Sequence, residues 1–225
     1  MVTTTGRTKS NSFIAAEKLR KLIISGTLGA GSDHLESELA ASLNMSRTPV
    51  REAVLLLESH GLLEVRPRKG VRISPISVAD MSEIYDILTE LESLAAAHAA
   101  QRNFSSKDLR LLSRSITRME KALAQDDRET WAENDDIFHS ELARLGGNKR
   151  LQRIVATMSD QVRRARTVTL YMRPAPDQSN ADHRGVLNAI EVGDAKTARD
   201  IHRNHRKAAK SMLIDLLNKH HLTSV

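Results

Sequence analysis

The spacing of apolar residues changes twice along this chain, and these changes limit the folds that it can adopt. From residue 12 to about residue 60, apolar residues recur every three or four positions in three short segments, which predicts three amphipathic helices. The next segments, LLEV and VRIS, are short and β-prone, and they flank the turn-forming stretch RPRKG. Helical spacing then returns and continues to about residue 219. This order predicts three helices and a β-hairpin, followed by an all-helical bundle.

The breaks in this pattern predict the domain boundaries. We expect a disordered tail over residues 1–11, a winged helix-turn-helix domain over 12–74, a linker with Pro75 over 75–80, and an all-helical domain over 81–220. Short connections in the last part favour antiparallel neighbours. Aromatic residues make up only 3% of the chain, while Ala, Leu, Arg and Glu are plentiful, which favours helices. The predicted fold class is therefore mainly α.

Polar residues that can cap a helix N-terminus precede four of the predicted helices in the second part. They are Ser77, Ser105, Asn148 and Asp194. Ser105 predicts a helix that begins at residue 106, and Asn148 predicts a long helix that ends near Met172. We expect no strand after residue 76.

The composition excludes several classes of protein. Cysteine is absent, which rules out disulfides and thiolate metal sites. No apolar run approaches the length of a membrane span, and the start MVTTTGRTKSNS lacks the apolar core of a signal peptide. We therefore expect a cytoplasmic protein with no membrane partner. The N-terminal part is the more basic per residue, which is a weak indication of a polyanionic partner.

The stretch SRTPVREA is the most informative motif of the N-terminal part. Ser46 suits the N-cap of a helix, where its hydroxyl would accept an early backbone N–H. Pro49 then lies in the first turn, where a missing N–H breaks no helical hydrogen bond. Arg47 and Arg51 are four residues apart and share a face, so they could read guanine O6 and N7 or clamp phosphates. An isolated Arg-x-x-x-Arg pair is usually solvated, but the turn before it and the predicted wing after it favour DNA contact.

The segment LESELAASLNMSRTPVREAVLLLESHGLLEVRPRKGVRIS resembles the DNA-binding domain of the GntR family of bacterial transcription regulators. The resemblance covers residues 13–74. It implies that the two arginines of SRTPVREA read operator bases and that neighbouring residues contact bases or backbone. The residues implied in these contacts are Ser37, Ser46, Arg47, Thr48 and Arg51.

The same resemblance places DNA contacts in the predicted wing. Gly70 would let the wing tip approach the minor groove, and Arg68 and Lys69 flank it. Two departures from the family pattern lie before the second helix. The usual Pro-Gly is Ala-Gly at 30–31, and His34 stands at a usually apolar position. Both departures concern local packing more than the DNA contacts.

Four polar residues of the helical part lie on or beside apolar stripes and could meet inside a bundle. Asp135 and His139 are one helical turn apart, His183 begins an apolar series, and His205 lies near the centre of the last stripe. One carboxylate and three imidazoles suit a divalent transition metal, with Zn or Ni first and Mn, Co or Fe as further possibilities. The alternative is that each His is an ordinary hydrogen-bonded residue, and the residues alone leave both interpretations open.

Residues 78–219 resemble the FCD domain, the all-helical effector domain of one large GntR subgroup. The matching motifs are D..FH at 135–139, GN..L at 147–151 and H..VL.AI..GDA..A at 183–198. The resemblance implies a metal held by four residues, which are Asp135, His139, His183 and His205. His202 is a nearby alternative to the last of these, but the distance from GDA favours His205.

One departure concerns the effector. Many relatives have an arginine four residues before the glutamate that matches Glu92, and that arginine helps to bind an effector carboxylate. This chain has Leu88 at that place, which implies that an acid is held differently or that the effector is less anionic. The candidate substitutes are the arginines of the segment VRRAR, Arg163, Arg164 and Arg166, although a solvated helix face is expected for at least two of them. His98 could point into the same pocket.

Together these features predict a DNA-binding transcription regulator, a repressor, and not an enzyme. It would act in the bacterial cytoplasm, on the nucleoid when bound, as a homodimer on an inverted-repeat operator. A small-molecule effector, such as an organic or sugar acid, would bind beside the metal and change operator affinity. Two alternatives remain. One is a metal-dependent hydrolase fused to a DNA-binding module, with Asp136 or Glu133 as general base, and the other is an architectural DNA-binding protein with an inert bundle.

Overall fold

The computed structural model describes residues 10–220 and residue 222. It is mainly helical, as predicted. The chain divides between Pro75 and Ile76 into two compact units, and each unit has its own cluster of buried apolar side chains. Among the described residues, no helix has the length and apolar character that a membrane crossing requires.

The first helix begins inside the segment that the sequence assigns to a tail. Residues 1–9 of the predicted tail, 1–11, lie outside the described residues. Asn11 is already helical, and Ser10 is the N-cap, because its hydroxyl accepts the backbone N–H of Phe13 at 3.2 Å. The capping hydrogen bond sets this start.

The first unit combines three helices with a small antiparallel sheet. Its elements are α1 (Asn11–Ile24), β1 (Asp33–His34), α2 (Glu36–Ser42), α3 (Arg47–Ser59), β2 (Leu63–Arg66) and β3 (Gly70–Ile73). The sheet order is β1-β3-β2, with Leu63 opposite Ile73 and Asp33 opposite Arg72. This is the predicted winged helix-turn-helix with one additional strand. The sequence did not predict β1, because two residues are too few to show an alternating pattern.

The turn between β2 and β3 explains two residues of RPRKG. The N–H of Lys69 donates to the carbonyl of Arg66 at 3.0 Å, and Arg68 has a φ of 65°, as the third residue of a type II turn requires. Gly70 has a φ of 91°, and a Cβ there would collide with the backbone carbonyl of His34 in β1. Gly70 therefore lets the wing pack against β1.

The second unit is a helical bundle. Its helices are α4 (Val78–Ala100), α5 (Arg110–Ala124), α6 (Arg128–Leu145), α7 (Lys149–Val168), α8 (Asp177–Glu191) and α9 (Ala195–Lys219). A 3-10 turn, Leu170–Met172, lies between α7 and α8. The helix α4 packs mainly against α9 and also contacts α6, α7 and α8, while α5 packs against α6. The helix α4 is thus central, and its buried alanines leave room for close neighbours.

Three of the four predicted N-caps are confirmed. The side chains of Ser77, Asn148 and Asp194 accept backbone N–H groups at the starts of α4, α7 and α9. The helix capped by Asn148 ends at Val168, before the 3-10 turn, and so is shorter than predicted.

Two other boundaries differ from the prediction. The helix α4 begins at Val78, so the last three residues of the predicted linker 75–80 are helical. Ser105 does not cap α5. Instead its N–H and hydroxyl both donate to the Asp108 carboxylate, at 3.0 and 2.6 Å, and α5 begins only at Arg110. Local hydrogen bonds from a serine to a nearby aspartate compete with regular helix formation. Here they accompany a turn over residues 106–109, and the helix starts after it.

Candidate DNA-reading helix and metal centre

The helix α3 presents two arginines on one exposed side. Arg47 is its first residue, and Arg47 and Arg51 are both exposed. Val50 and Val54 are fully buried in the core of the unit, so the direction of the exposed side is fixed. Ser46 is an extended N-cap, as predicted, but its side chain makes no capping hydrogen bond, so the predicted hydroxyl contact is wrong.

The other residues that the sequence assigns to DNA contact are also accessible. The exposed residues are Ser37 in the first turn of α2, Thr48 in α3, and Arg68 and Lys69 in the wing turn. His34 is partly buried, and its Nε2 lies 2.7 Å from the hydroxyl of Ser32. A polar contact therefore accommodates the histidine at the usually apolar position.

The four predicted metal ligands come together inside the bundle. The helix α6 carries Asp135 and His139, α8 carries His183, and α9 carries His205, and all four are buried. One nitrogen from each imidazole lies within 4.8 Å of the other two. The Asp135 carboxylate is 3.5 Å from His139 Nε2 and 3.6 Å from His183 Nε2. Donor atoms from three helices thus face one another.

Several polar atoms of this cluster have no hydrogen-bond partner among the described residues. They include His139 Nε2 and both ring nitrogens of His183. Buried polar atoms in proteins are nearly always satisfied, so these nitrogens suit a ligand. Burial lowers the pKa of His183 well below its ordinary value, which keeps the ring neutral with a lone pair to offer. Imidazoles with one carboxylate fit a divalent transition metal.

A buried glutamate orients one of these imidazoles. Glu92 Oε2 lies 2.8 Å from His139 Nδ1 and 3.0 Å from His202 Nε2. Burial favours the protonated form of Glu92, but Arg206 and His139 outweigh this effect and hold its pKa well below the usual value. Because an ionised carboxylate can only accept, His139 donates from Nδ1 and directs Nε2 towards the cluster.

Glu92, His139 and His202 form a second group whose atoms are close enough to hold a metal. Hydrogen bonds already account for the contacts of both imidazoles with Glu92. His205 Nδ1 is 3.4 Å from the Asp182 carboxylate, and a ring nitrogen of His205 lies within 4.8 Å of His139 and His183. The geometry favours His205 in the metal set and makes His202, which is fully buried, a partner of Glu92.

Arginines of α7 pair with the two aspartates of α6. Arg166 Nη2 lies 2.5 Å from Asp135 Oδ2, and Arg163 Nε lies 2.8 Å from Asp136 Oδ2. Burial alone would raise the pKa of Asp135, but Arg166 and the nearby imidazoles reverse this and lower it far below its usual value. Asp135 is therefore ionised and able to act as a ligand.

Two cavities meet at this cluster, and both are lined by His139, Arg166 and Arg206. The first, here called the α8 cavity, has a volume of about 230 Å³ and lies beside the first turns of α8. Its lining includes Trp131, Asp135, Arg173, Ser179, His205 and Met212. The second, here called the α4 cavity, has a volume of about 270 Å³. Its lining includes Leu88, Glu92, Asp136, Ser140, Val155 and Arg163.

The two residues predicted for the effector pocket have different outcomes. Arg163 lines the α4 cavity, whereas His98 lines neither of the two cavities. His98 follows Glu92 by six residues, or about 600° of helical rotation, so it points to another side of α4. The structure therefore does not bring His98 to the candidate site.

Comparisons with known protein families agree with this architecture. The family described as bacterial regulatory proteins, gntR family, matches residues 14–73, and the FCD domain matches residues 83–208. The chain belongs to the GntR family. It is a GntR-family transcription regulator with an FCD domain, as the resemblance of the sequence predicts.

Individual relatives match over most of this GntR-family chain. An uncharacterized HTH-type transcriptional regulator from an unstable DNA locus of Streptomyces ambofaciens is 34% identical over 92% of this chain and 86% of its own length. A protein of Paenarthrobacter nicotinovorans, named as a probable D-xylose utilization operon transcriptional repressor, is 31% identical over 87% of this chain and 83% of its own. The structure of E. coli McbR/YncC has the same fold, with a TM-score of 0.78 at 22% identity, over 93% of this chain and 99% of that one.

Sequence reasoning missed two contacts within the FCD domain. In the sequence Glu92 is only a match to a family position. The structure shows that it contacts His139, which lies 47 residues away along the chain. The sequence offers His202 only as an alternative to His205, yet His202 contacts the same glutamate, which lies 110 residues away along the chain. The one signal in the sequence was a glutamate beside an alanine-rich, apolar stretch of helix. A carboxylate that such a helix buries needs polar partners, which predicts contacts of the kind that Glu92 makes.

Proposed function

We propose that this GntR-family protein is a repressor whose FCD domain binds a small-molecule effector beside a divalent transition metal, with zinc or nickel the first candidates. One observation carries the proposal. Three buried imidazoles and the Asp135 carboxylate face one another beside two cavities, and His139 Nε2 and both nitrogens of His183 have no hydrogen-bond partner among the described residues. Relatives named as repressors of a D-xylose utilization operon and of a gluconate operon support repression. Gluconate is a sugar acid, which supports an organic or sugar acid as effector.

The chain's own residues would prepare this site. Glu92 fixes the proton of His139 on Nδ1, and Arg166 holds the Asp135 carboxylate beside the imidazoles. A bound divalent metal would supply a Lewis-acid anchor for an oxygen of the effector. The effector can change operator affinity only as far as it binds one arrangement of the protein more tightly than another.

In the first unit, Arg47 and Arg51 would read operator bases from α3, and the exposed wing residues would contact the DNA backbone or minor groove. A homodimer would place two such units on an inverted repeat, because a two-fold axis in the protein matches one in the operator. The exposure of both arginines above a buried valine face supports this assignment.

Elemental analysis of the purified protein tests the metal half of the proposal. We expect metal in the wild type and a large loss of it in His183→Ala and His205→Ala, because each removes a donor. His98→Ala is a matched control, since His98 lines neither cavity, and it should retain metal. Unchanged metal content in His183→Ala would remove His183 from the site.

Binding assays with candidate acids test the effector half. A metal-loaded protein should be stabilised by its effector through mass action and should then release operator DNA. Turnover of the added acid in place of reversible binding would support the hydrolase alternative. Stability and DNA release that respond to neither metal nor acid would support an architectural protein with an inert bundle.

A further inference from the structure

Arg173 differs from the other arginines around the candidate metal centre. It follows the 3-10 turn after α7 and lines the α8 cavity. Its Nε and Nη2 donate to the hydroxyl of Thr169 at 3.0 and 2.8 Å. Across the part of the chain that the structure describes, no carboxylate lies within ion-pair distance of Arg173. Its positive charge is therefore held by a neutral hydroxyl alone.

The remaining arginines of the two cavities are each paired with a carboxylate. In the α8 cavity, Arg128 lies 2.8 Å from Asp126, Arg166 lies 2.5 Å from Asp135, and Arg206 lies 3.5 Å from Glu92. In the α4 cavity, Arg163 lies 2.8 Å from Asp136. Arg173 is thus the one arginine among the described lining residues of the two cavities that has no carboxylate within ion-pair distance.

Holding the charge of Arg173 partly away from water is unfavourable. Burial, together with repulsion from Arg166, lowers the pKa of Arg173 to about 10. A partly buried cation without a counter-ion is a costly arrangement that an incoming anion would relieve. Attraction to Tyr85 and Asp135 opposes this decrease of the pKa only in part.

The start of α8 adds to the attraction for an anion. Its N-cap is Pro176, and no side chain caps the helix, so its first backbone N–H groups have no side-chain acceptor. Gln178 and Ser179 of this first turn line the same cavity as Arg173. The N-terminal end of a helix carries a partial positive charge, which favours a negative ligand there.

The remaining lining limits the kind of anion. Apolar side chains form part of the wall and suit the hydrocarbon part of a ligand. They are Ala132, Leu170, Ala208 and Met212. Asp135 and Asp182 also line the cavity, and their charges would oppose a second negative charge on the ligand. One arginine without a carboxylate partner, together with two nearby carboxylates, favours a monoanion over a dianion such as a phosphate ester.

We propose that Arg173 and the first turn of α8 bind the carboxylate of a small monoanionic acid with an apolar body, which makes the α8 cavity the effector site. This inference rests on the proposed function, because it names the effector class and the residue that selects it. The ligand's other end would lie towards His139 and His205, which line the same cavity. Arg163, which the sequence suggested for this role, is already neutralised by Asp136.

Calorimetric titration of the whole chain tests this assignment. The probes are the straight-chain monocarboxylates from propanoate to hexanoate, each with its amide as an uncharged counterpart. We expect saturable binding of at least one carboxylate and none of its amide. Arg173→Gln should weaken that binding about 10- to 100-fold, the range for a hydrogen bond to a charged group, and Arg173→Lys should weaken it less. Inorganic phosphate should bind more weakly than the carboxylate.

Arg184→Gln is the control, because Arg184 lies on α8, beside the cavity, but pairs with Glu120 and does not line the cavity. The affinity of this variant should equal that of the wild type. Equal loss in Arg163→Gln, retained affinity in Arg173→Gln, or the lack of saturable binding by every carboxylate would overturn the assignment. Tighter binding of phosphate would also overturn it.

The experiments distinguish a failure of the proposed metal centre from a failure of the proposed anion site. Arg173→Gln should keep its metal and its melting temperature, because it removes an unpaired cation and no metal donor. In chelator-treated protein, the ratio of affinities between wild type and Arg173→Gln should persist. A ratio that collapses to one would overturn the role of Arg173, whereas a wild type that never contained metal would contradict only the proposed metal centre.

Discussion

At the scale of single residues, the DNA-reading assignment depends on Arg47 and Arg51. Replacing either by Ala should lower the preference for operator over unrelated DNA by about 1–3 kcal/mol, because a bidentate contact with guanine is lost. Fluorescence anisotropy with operator and scrambled duplexes at one salt concentration measures this preference. Lys69→Ala is the comparison, since a wing contact with phosphate should weaken binding to both duplexes alike. Full sequence selectivity in both arginine variants would refute the assignment.

Glu92 is a positioning residue that acts through the imidazoles it contacts. Glu92→Gln removes the charge that fixes the proton of His139, and we expect metal affinity to fall about 10- to 100-fold. Competition with a chromophoric chelator measures the affinity. Glu90→Gln is the control on the same helix, because Glu90 is exposed and pairs with Arg203. Equal affinities of the two variants would show that Glu92 has no positioning role.

At the scale of elements, the end of α6 packs closely against α4. A Cβ on Gly146 would lie 2.8 Å from the Cα of Ala95, which is backbone and cannot move alone. Gly146→Ala should therefore lower the free energy of unfolding by about 1–3 kcal/mol through overpacking. Trp131 is the only tryptophan of the chain and lies in α6, so its fluorescence during urea unfolding reports on the bundle.

Gly185→Ala is the matched comparison in α8. Its Cβ would meet only the end of the Ile201 side chain, at 3.1 Å, and a flexible side chain can shift. Because alanine favours a helix interior over glycine by up to about 1 kcal/mol, this variant should be as stable as the wild type or more stable. If both alanine variants lost the same stability, the contact between α6 and α4 would not be the cause.

At the scale of the whole bundle, the buried imidazoles make stability depend on pH. Burial lowers the pKa of His183 and of His205. Burial also lowers the pKa of His202 to about 4, although its contact with Glu92 opposes this decrease. The unfolded chain takes up these protons near about pH 6.5. Below that pH the unfolded state binds more protons than the folded state, so stability falls as pH falls.

For metal-free protein we expect a decrease of up to about 1.4 kcal/mol per pH unit for each such histidine, between about pH 6.5 and pH 4, and little change just above that window. Urea unfolding followed by Trp131 fluorescence at a series of pH values measures it. His202→Gln should make the slope shallower. Stability that is constant or rises on acidification within this window would contradict the burial of neutral imidazoles.

The sequence by itself determined the local features of this protein. Helical spacing, the caps at Ser77, Asn148 and Asp194, and SRTPVREA predicted the mainly helical fold and the position of α3, because these signals act over a few residues. The same spacing placed Asp135 and His139 one turn apart. Where two local signals competed, as at Ser105 and Asp108, the sequence could not decide between a cap and a turn.

Only the tertiary structure decided which residues meet across the bundle. Glu92 contacts His139 and His202, which lie 47 and 110 residues away, while His98 turns away from both cavities. In the sequence Arg173 resembles any other loop arginine. The packing shows that each neighbouring arginine of the cavities has a carboxylate partner, whereas Arg173 has none among the residues that the structure describes. Burial, pairing and pKa depend on what surrounds a side chain in space, and spacing along one helix contains no information about the residues of another.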